Sequence, residues 1–163
     1  MSHSVTIRTA TVTTNASPIF VNTTFLKTYS GILKVLELIL GIVCVGIIGH
    51  DFDNEYRSYN VQNQFFFLIT TTFMIATFLL LLSCMVSLST ESIISKTIYE
   101  VVYHAAAFGL LLAASLTLLI KVNNYRRSSY NYESLLGASI CGLVNSAFYF
   151  ISTIFALRSY RGL

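Results

Sequence analysis

Four apolar runs dominate the chain. They extend from Ser30 to Gly49, Phe65 to Leu88, Ile98 to Ile120 and Leu135 to Leu157, and the second contains no charged residue. Each is about 20–24 residues long. At a rise of about 1.5 Å per residue, that length carries a helix across a hydrocarbon layer of about 30 Å. Polar and apolar residues do not alternate within the runs, which excludes a β-barrel. The expected fold is an all-α membrane protein, an antiparallel four-transmembrane-helix bundle. Composition agrees, because only 10% of the 163 residues are charged and 55% are hydrophobic. A soluble domain carries about 25% charged residues. Four apolar runs on linkers this short leave no polar face for helices buried in a soluble globule.

The expected organisation has three parts: a disordered, Thr-rich cytoplasmic tail over 1–29, a membrane domain over 30–157 and a short cytoplasmic tail over 158–163. Residues 50–64 and 121–134 form the longer loops, and 89–97 a tight hairpin connection. No linker holds a separate soluble domain. The tail does not read as a signal peptide, because its first apolar run begins late and no small-residue cleavage site follows a short apolar stretch. A net charge of +3 is too small to point to nucleic acid. Cys44, Cys84 and Cys141 all lie inside the runs, so no outer disulfide framework is expected. Four spans place both termini on one side. That side would hold Arg8, Lys27, Lys34, Lys96, Arg158 and Arg161, against Arg57, Lys121, Arg126 and Arg127 opposite, a bias towards termini in the cytoplasm.

The ionisable residues within the runs carry the most information. Lys34 and Glu37 lie three apart in the first helix, and Glu100 and His104 four apart in the third. Each pair therefore shares one helix face. The two helices cross in the same direction, and all four residues lie within about 10 Å of their helix starts. Charges in hydrocarbon turn inward and find partners, so an interhelical polar cluster is expected if the two helices are neighbours. The alternative is that Lys34 and Glu100 snorkel separately to the headgroups. Beyond these residues the same faces become small and apolar, through Gly41, Cys44 and Ile48 in one helix and Ala107, Leu111 and Ala114 in the other. That pattern argues against an ion or proton pathway.

Small residues at helical spacing, Gly41, the pair Gly109 and Ala113, and the pair Gly142 and Ser146, are expected at helix packing contacts, first within the bundle and otherwise with a second copy or another membrane protein. The three His are too scattered for a zinc site. No nucleophile triad, phosphate loop or HExxH spacing is present. The expectation is no catalytic, cofactor-binding or metal-binding residue, and no cofactor.

The chain resembles the MARVEL proteins, within them the myelin-and-lymphocyte, plasmolipin and chemokine-like-factor-like branches. The resemblance covers about residues 30–157. It rests on Gly31, Leu33, Glu37 and Gly41 in the first helix, and on Glu100, Tyr103, His104, Ala105, Ala106 and Ala107 in the third. Claudins carry a Trp and two Cys in their first outer loop, and tetraspanins a large Cys-bearing loop; this chain has neither. The resemblance implies cytoplasmic termini, no catalytic residues, and a role in membrane apposition, vesicle trafficking, lipid-domain organisation or escort of other membrane proteins. Residence in the plasma membrane or in endosomal and secretory vesicles follows from it. The expected partners are membrane lipids and other membrane proteins or further copies of the chain. The alternative functions are a regulatory subunit of a channel, transporter or cell-junction complex, and, behind that, a small pore or proton carrier.

Overall fold

The computed structural model describes residues 25–54, 61–86, 93–94, 97–124 and 132–162. Among them are four long helices, α1 (Tyr29–Asn54), α2 (Val61–Val86), α3 (Ile98–Asn124) and α4 (Tyr132–Arg161), and a 3-10 turn at Phe25–Lys27 before α1. No strand occurs among the described residues. All four helices are long and apolar enough to cross a membrane. They pack as an antiparallel ring in chain order, α4 closing onto α1, with the α3–α4 contact the most extensive. Helices α1 and α3 therefore face each other across the diagonal.

The residues turned inward recur at alternating steps of three and four. In α1 they are Lys34, Glu37, Gly41, Cys44 and Ile48. In α3 they include Glu100, His104, Ala107, Leu111, Ala114 and Leu118. In α2 they include Asn63, Phe66, Thr70, Phe73, Thr77 and Cys84, and in α4 Ala138, Gly142, Asn145, Tyr149, Ser152 and Ala156. This spacing keeps one seam of each helix on the bundle axis. The seam is rich in small and polar residues, while Leu, Ile, Val and Phe cover the outside. Lipid is as apolar as Leu, so helix association gains from close approach and from hydrogen bonds rather than from burying apolar area.

The helices extend past the apolar runs. Asn63 lies on the inward seam of α2 and accepts a hydrogen bond from Lys121 Nζ at 2.7 Å. The polar turns at the start of α2 and the end of α3 stay helical around this contact. The C-terminal tail expected over 158–163 is helical as far as Arg161, with Arg158 and Arg161 near the negative end of the helix dipole. Gly162 then takes a left-handed conformation, φ 71°, that favours glycine.

The expected tail over 1–29 and the hairpin connection over 89–97 lie mostly outside the described residues. Phe25 to Tyr29, at the end of that tail, are ordered. Phe25 is buried against Leu81 and Cys84. Thr28 caps α1: its hydroxyl donates to the Phe25 carbonyl at 2.7 Å and accepts from the Gly31 N–H at 3.1 Å. Gly31 permits the fold-back, because a Cβ there would overlap the Phe25 carbonyl group.

The charge-free centre of α2, Phe78 to Leu82, divides by helix face. Phe78, Leu79 and Leu82 are outward, whereas Leu80 and Leu81 are buried.

Candidate functional site

At the end of the bundle nearest the termini, α1 and α3 place their ionisable side chains in one buried cluster. Lys34 leaves α1 one turn after Ser30, and its Nζ donates to Ser30 Oγ at 2.6 Å. The same Nζ lies 2.6 Å from Glu100 Oε1, across the diagonal of the ring. It also sits 5.8 Å from the centre of the Phe25 ring, so the 3-10 turn roofs the ammonium with an aromatic face. Glu100 lies in the first turn of α3, where the helix dipole favours an anion. The Thr97–Glu100 spacing resembles a capping box, but the carboxylate of Glu100 turns inward to Lys34.

One turn deeper, Glu37 and His104 meet. Both are fully buried. His104 Nδ1 lies 2.7 Å from the Glu100 carbonyl oxygen. Its Nε2 lies 3.9 Å from Glu37 Oε2. The other carboxyl oxygen of Glu37 accepts a hydrogen bond from Ser152 of α4 at 2.5 Å. The cluster thus joins α1, α3 and α4.

Next to it is a hydroxyl triangle. Thr77 of α2 bonds Tyr103 OH at 2.7 Å and Tyr149 OH at 2.6 Å. The rings of Tyr103 and Tyr149 both lie beside the His104 imidazole, at centroid distances of 5.0 and 6.1 Å. Phe73, Ala107 and Leu111 then form an apolar layer with Tyr149. Past that layer the inward seams carry Thr70, Ser115 and Asn145, whose side-chain oxygens have no hydrogen-bond partner among the described residues.

Lys34, Glu37, Glu100 and His104 therefore stand together. Gly41 packs against Met74, with room for a Cβ only at 3.2 Å from the Met74 Cβ. Gly142 lies against Phe66 and Ser115, and a Cβ would come 2.7 Å from the Phe66 ring. Ser146 is buried and donates to the Leu143 carbonyl at 2.8 Å. Gly109 and Ala113 correct the expectation. They are exposed, and a Cβ at Gly109 would meet nothing within 4 Å. Glu100, His104 and Leu111 fix the inward seam of α3, which leaves Gly109 and Ala113 on its outer face. Ser152, Thr77, Tyr149 and Phe25 were not singled out from the sequence, and Tyr103 entered only through the family resemblance. The three-four step through Asn145, Tyr149 and Ser152 was the signal that would have found the α4 members.

The fold and this buried cluster define a four-span integral membrane protein whose charges are turned away from lipid. A family model for the membrane-associating domain, MARVEL, matches residues 25–155. The chain belongs to the MARVEL family. The match begins at Phe25, so it includes the roofing turn as well as the four spans. No curated protein and no solved structure matches the chain.

Proposed function

We propose that the protein is a non-enzymatic organiser of membranes, serving vesicle trafficking or the assembly of a membrane-protein complex through helix and lipid contacts. One observation carries this reading. The ionisable side chains of α1 and α3 at this end are engaged with one another inside the bundle, so the surface offered to the bilayer is apolar. Outward Leu, Ile, Val and Phe side chains cover all four helices. Such a surface works by what packs beside it. Lys27, Arg158 and Arg161 are exposed at the end that holds the termini. Their charge supports cytoplasmic termini, and residence in the plasma membrane or in secretory and endosomal vesicles is part of the same proposal.

A second reading, a regulator or subunit of a channel, transporter or junction complex, is favoured by the outer face of α3. There Ala106, Gly109 and Ala113 present a shallow, side-chain-poor stripe at helical spacing. Small residues of this kind allow a second helix to approach closely.

Proximity labelling in the native cell tests both readings. The organiser reading expects vesicle and lipid-domain proteins as neighbours, unchanged by Gly109→Leu. A single channel, transporter or junction protein lost with Gly109→Leu would favour the second. Ion or proton flux through liposomes containing the purified protein would overturn both. Protease digestion of a terminal tag from the luminal side would overturn the orientation.

A further inference from the structure

We propose that Glu37 and His104 are a proton-binding site, holding one proton between Oε2 and Nε2 in the centre of the charged cluster. The inference follows from hydrogen-bond bookkeeping and does not depend on the cellular role. A carbonyl oxygen only accepts, so the 2.7 Å contact with the Glu100 carbonyl requires that His104 Nδ1 carry a hydrogen. The neutral ring of that tautomer has a bare lone pair at Nε2. On the other side, Ser152 occupies Glu37 Oε1 at 2.5 Å, which leaves Oε2. Nε2 and Oε2 face each other across 3.9 Å, both residues are fully buried, and neither atom has another hydrogen-bond partner among the described residues.

Two bare lone pairs facing each other in a fully buried site are unfavourable. A single proton, on either atom, converts them into donor and acceptor. A shift of about 1 Å then brings them to hydrogen-bond distance.

Charge gives the same count. Lys34 and Glu100 cancel each other. With one proton on the Glu37–His104 pair the cluster sums to zero, whichever atom holds it. With none it carries one negative charge, and with two, one positive charge. The groups facing the pair do not change this. On α1 there is Lys34, already bonded to Glu100 and Ser30. On α3 there are Glu100 and Tyr103, and on α4 Tyr149 and Ser152. The two tyrosine hydroxyls are engaged by Thr77 of α2.

The site can be read in the intact protein in lipid bilayers. A His3→Gln/His50→Gln variant leaves His104 as the one imidazole of the three in the chain. Nitrogen-15 solid-state spectra of that variant at neutral pH report the two ring nitrogens separately. Carbon-13 labelling of the glutamates reports the Glu37 carboxyl, assigned through its contact with the His104 ring. The expected result is a protonated Nδ1 and one further proton on the pair, seen as a carboxylic acid with bare Nε2 or as a carboxylate with an imidazolium. A carboxylate with bare Nε2, a carboxylic acid with an imidazolium, or a ring with bare Nδ1 would each overturn the proposal. Where the double variant does not fold, the same spectra are recorded on the unmodified chain, with His104 assigned by its contact to Tyr103.

Discussion

The two halves of this bundle solve the same problem in opposite ways. The half nearest the termini buries full charges and gives them partners on other helices, from Lys34 and Glu100 to Glu37, His104 and Ser152. The far half buries small polar groups, Thr70, Ser115 and Asn145, and leaves their oxygens unpaired among the described residues. There, beside the Lys121–Asn63 hydrogen bond, cohesion comes from close approach, at Gly142 against Phe66 and Ser115 and at Cys44 and Ile48 in the same apolar cluster. The two halves therefore tolerate different changes. The charged half is sensitive to losing a partner, and the far half is sensitive to gaining an atom.

The largest effect should come from breaking the diagonal pair. Glu100→Leu leaves a buried ammonium without its carboxylate, and orphaning a buried ion costs about 3–5 kcal/mol in soluble proteins. Thermal unfolding in detergent should show loss of the monodisperse protein. Glu100→Gln, which keeps a hydrogen-bond acceptor, should lose less. The double variant Lys34→Met/Glu100→Leu should recover most of the stability, because no uncompensated charge is left buried. Equal damage from the single and double leucine variants would break the comparison.

Next in size is overpacking of the far half. Gly142→Ala puts a methyl group into the Phe66 ring and the Ser115 hydroxyl. The expected cost is about 1–3 kcal/mol, read from the same melts and partly relieved by Phe66→Leu. Gly137→Ala, where a Cβ meets nothing within 4 Å, is the matched control. Smaller still is Thr70→Val, which removes an unpaired buried hydroxyl at nearly constant volume. Removing such a group should be neutral or slightly stabilising, in contrast to any change at Glu100. The smallest stability effect belongs to Gly109→Leu on the outer face of α3, within about 0.5 kcal/mol.

The seams of α1 and α3 were legible in the sequence because an ionisable residue in an apolar run marks the inward face. Once Glu37 and Glu100 set the phase, Gly41, Cys44 and Ile48, and His104, Ala107 and Leu111, follow at helical steps. The reading failed where small residues were chosen by their spacing alone, without the phase that the ionisable residues set. Gly109 and Ala113 lie on the same helix as His104, but their phase places them outside. Helix α4 was harder to read because Ser and Tyr cost little on either face of a membrane helix, so hydropathy did not select Ser152 as a partner of Glu37. The Phe25 turn was hidden for a different reason: a few residues of irregular chain carry no periodicity, and only the space that Gly31 leaves for the Phe25 carbonyl reveals it.

The reach of the charged cluster along the chain sets a schedule for its assembly. Lys34 and Glu100 are 66 residues apart, and Glu37 and Ser152 are 115 apart. At about 5–20 residues per second of synthesis, the first helix waits several seconds for the third and longer for the fourth. During that interval Lys34 and Glu37, three apart on one face, have only each other and the headgroups. A newly made α1 is therefore an unsettled membrane segment until α4 arrives. A chain interrupted between the third and fourth helices presents Glu37 without its Ser152 partner.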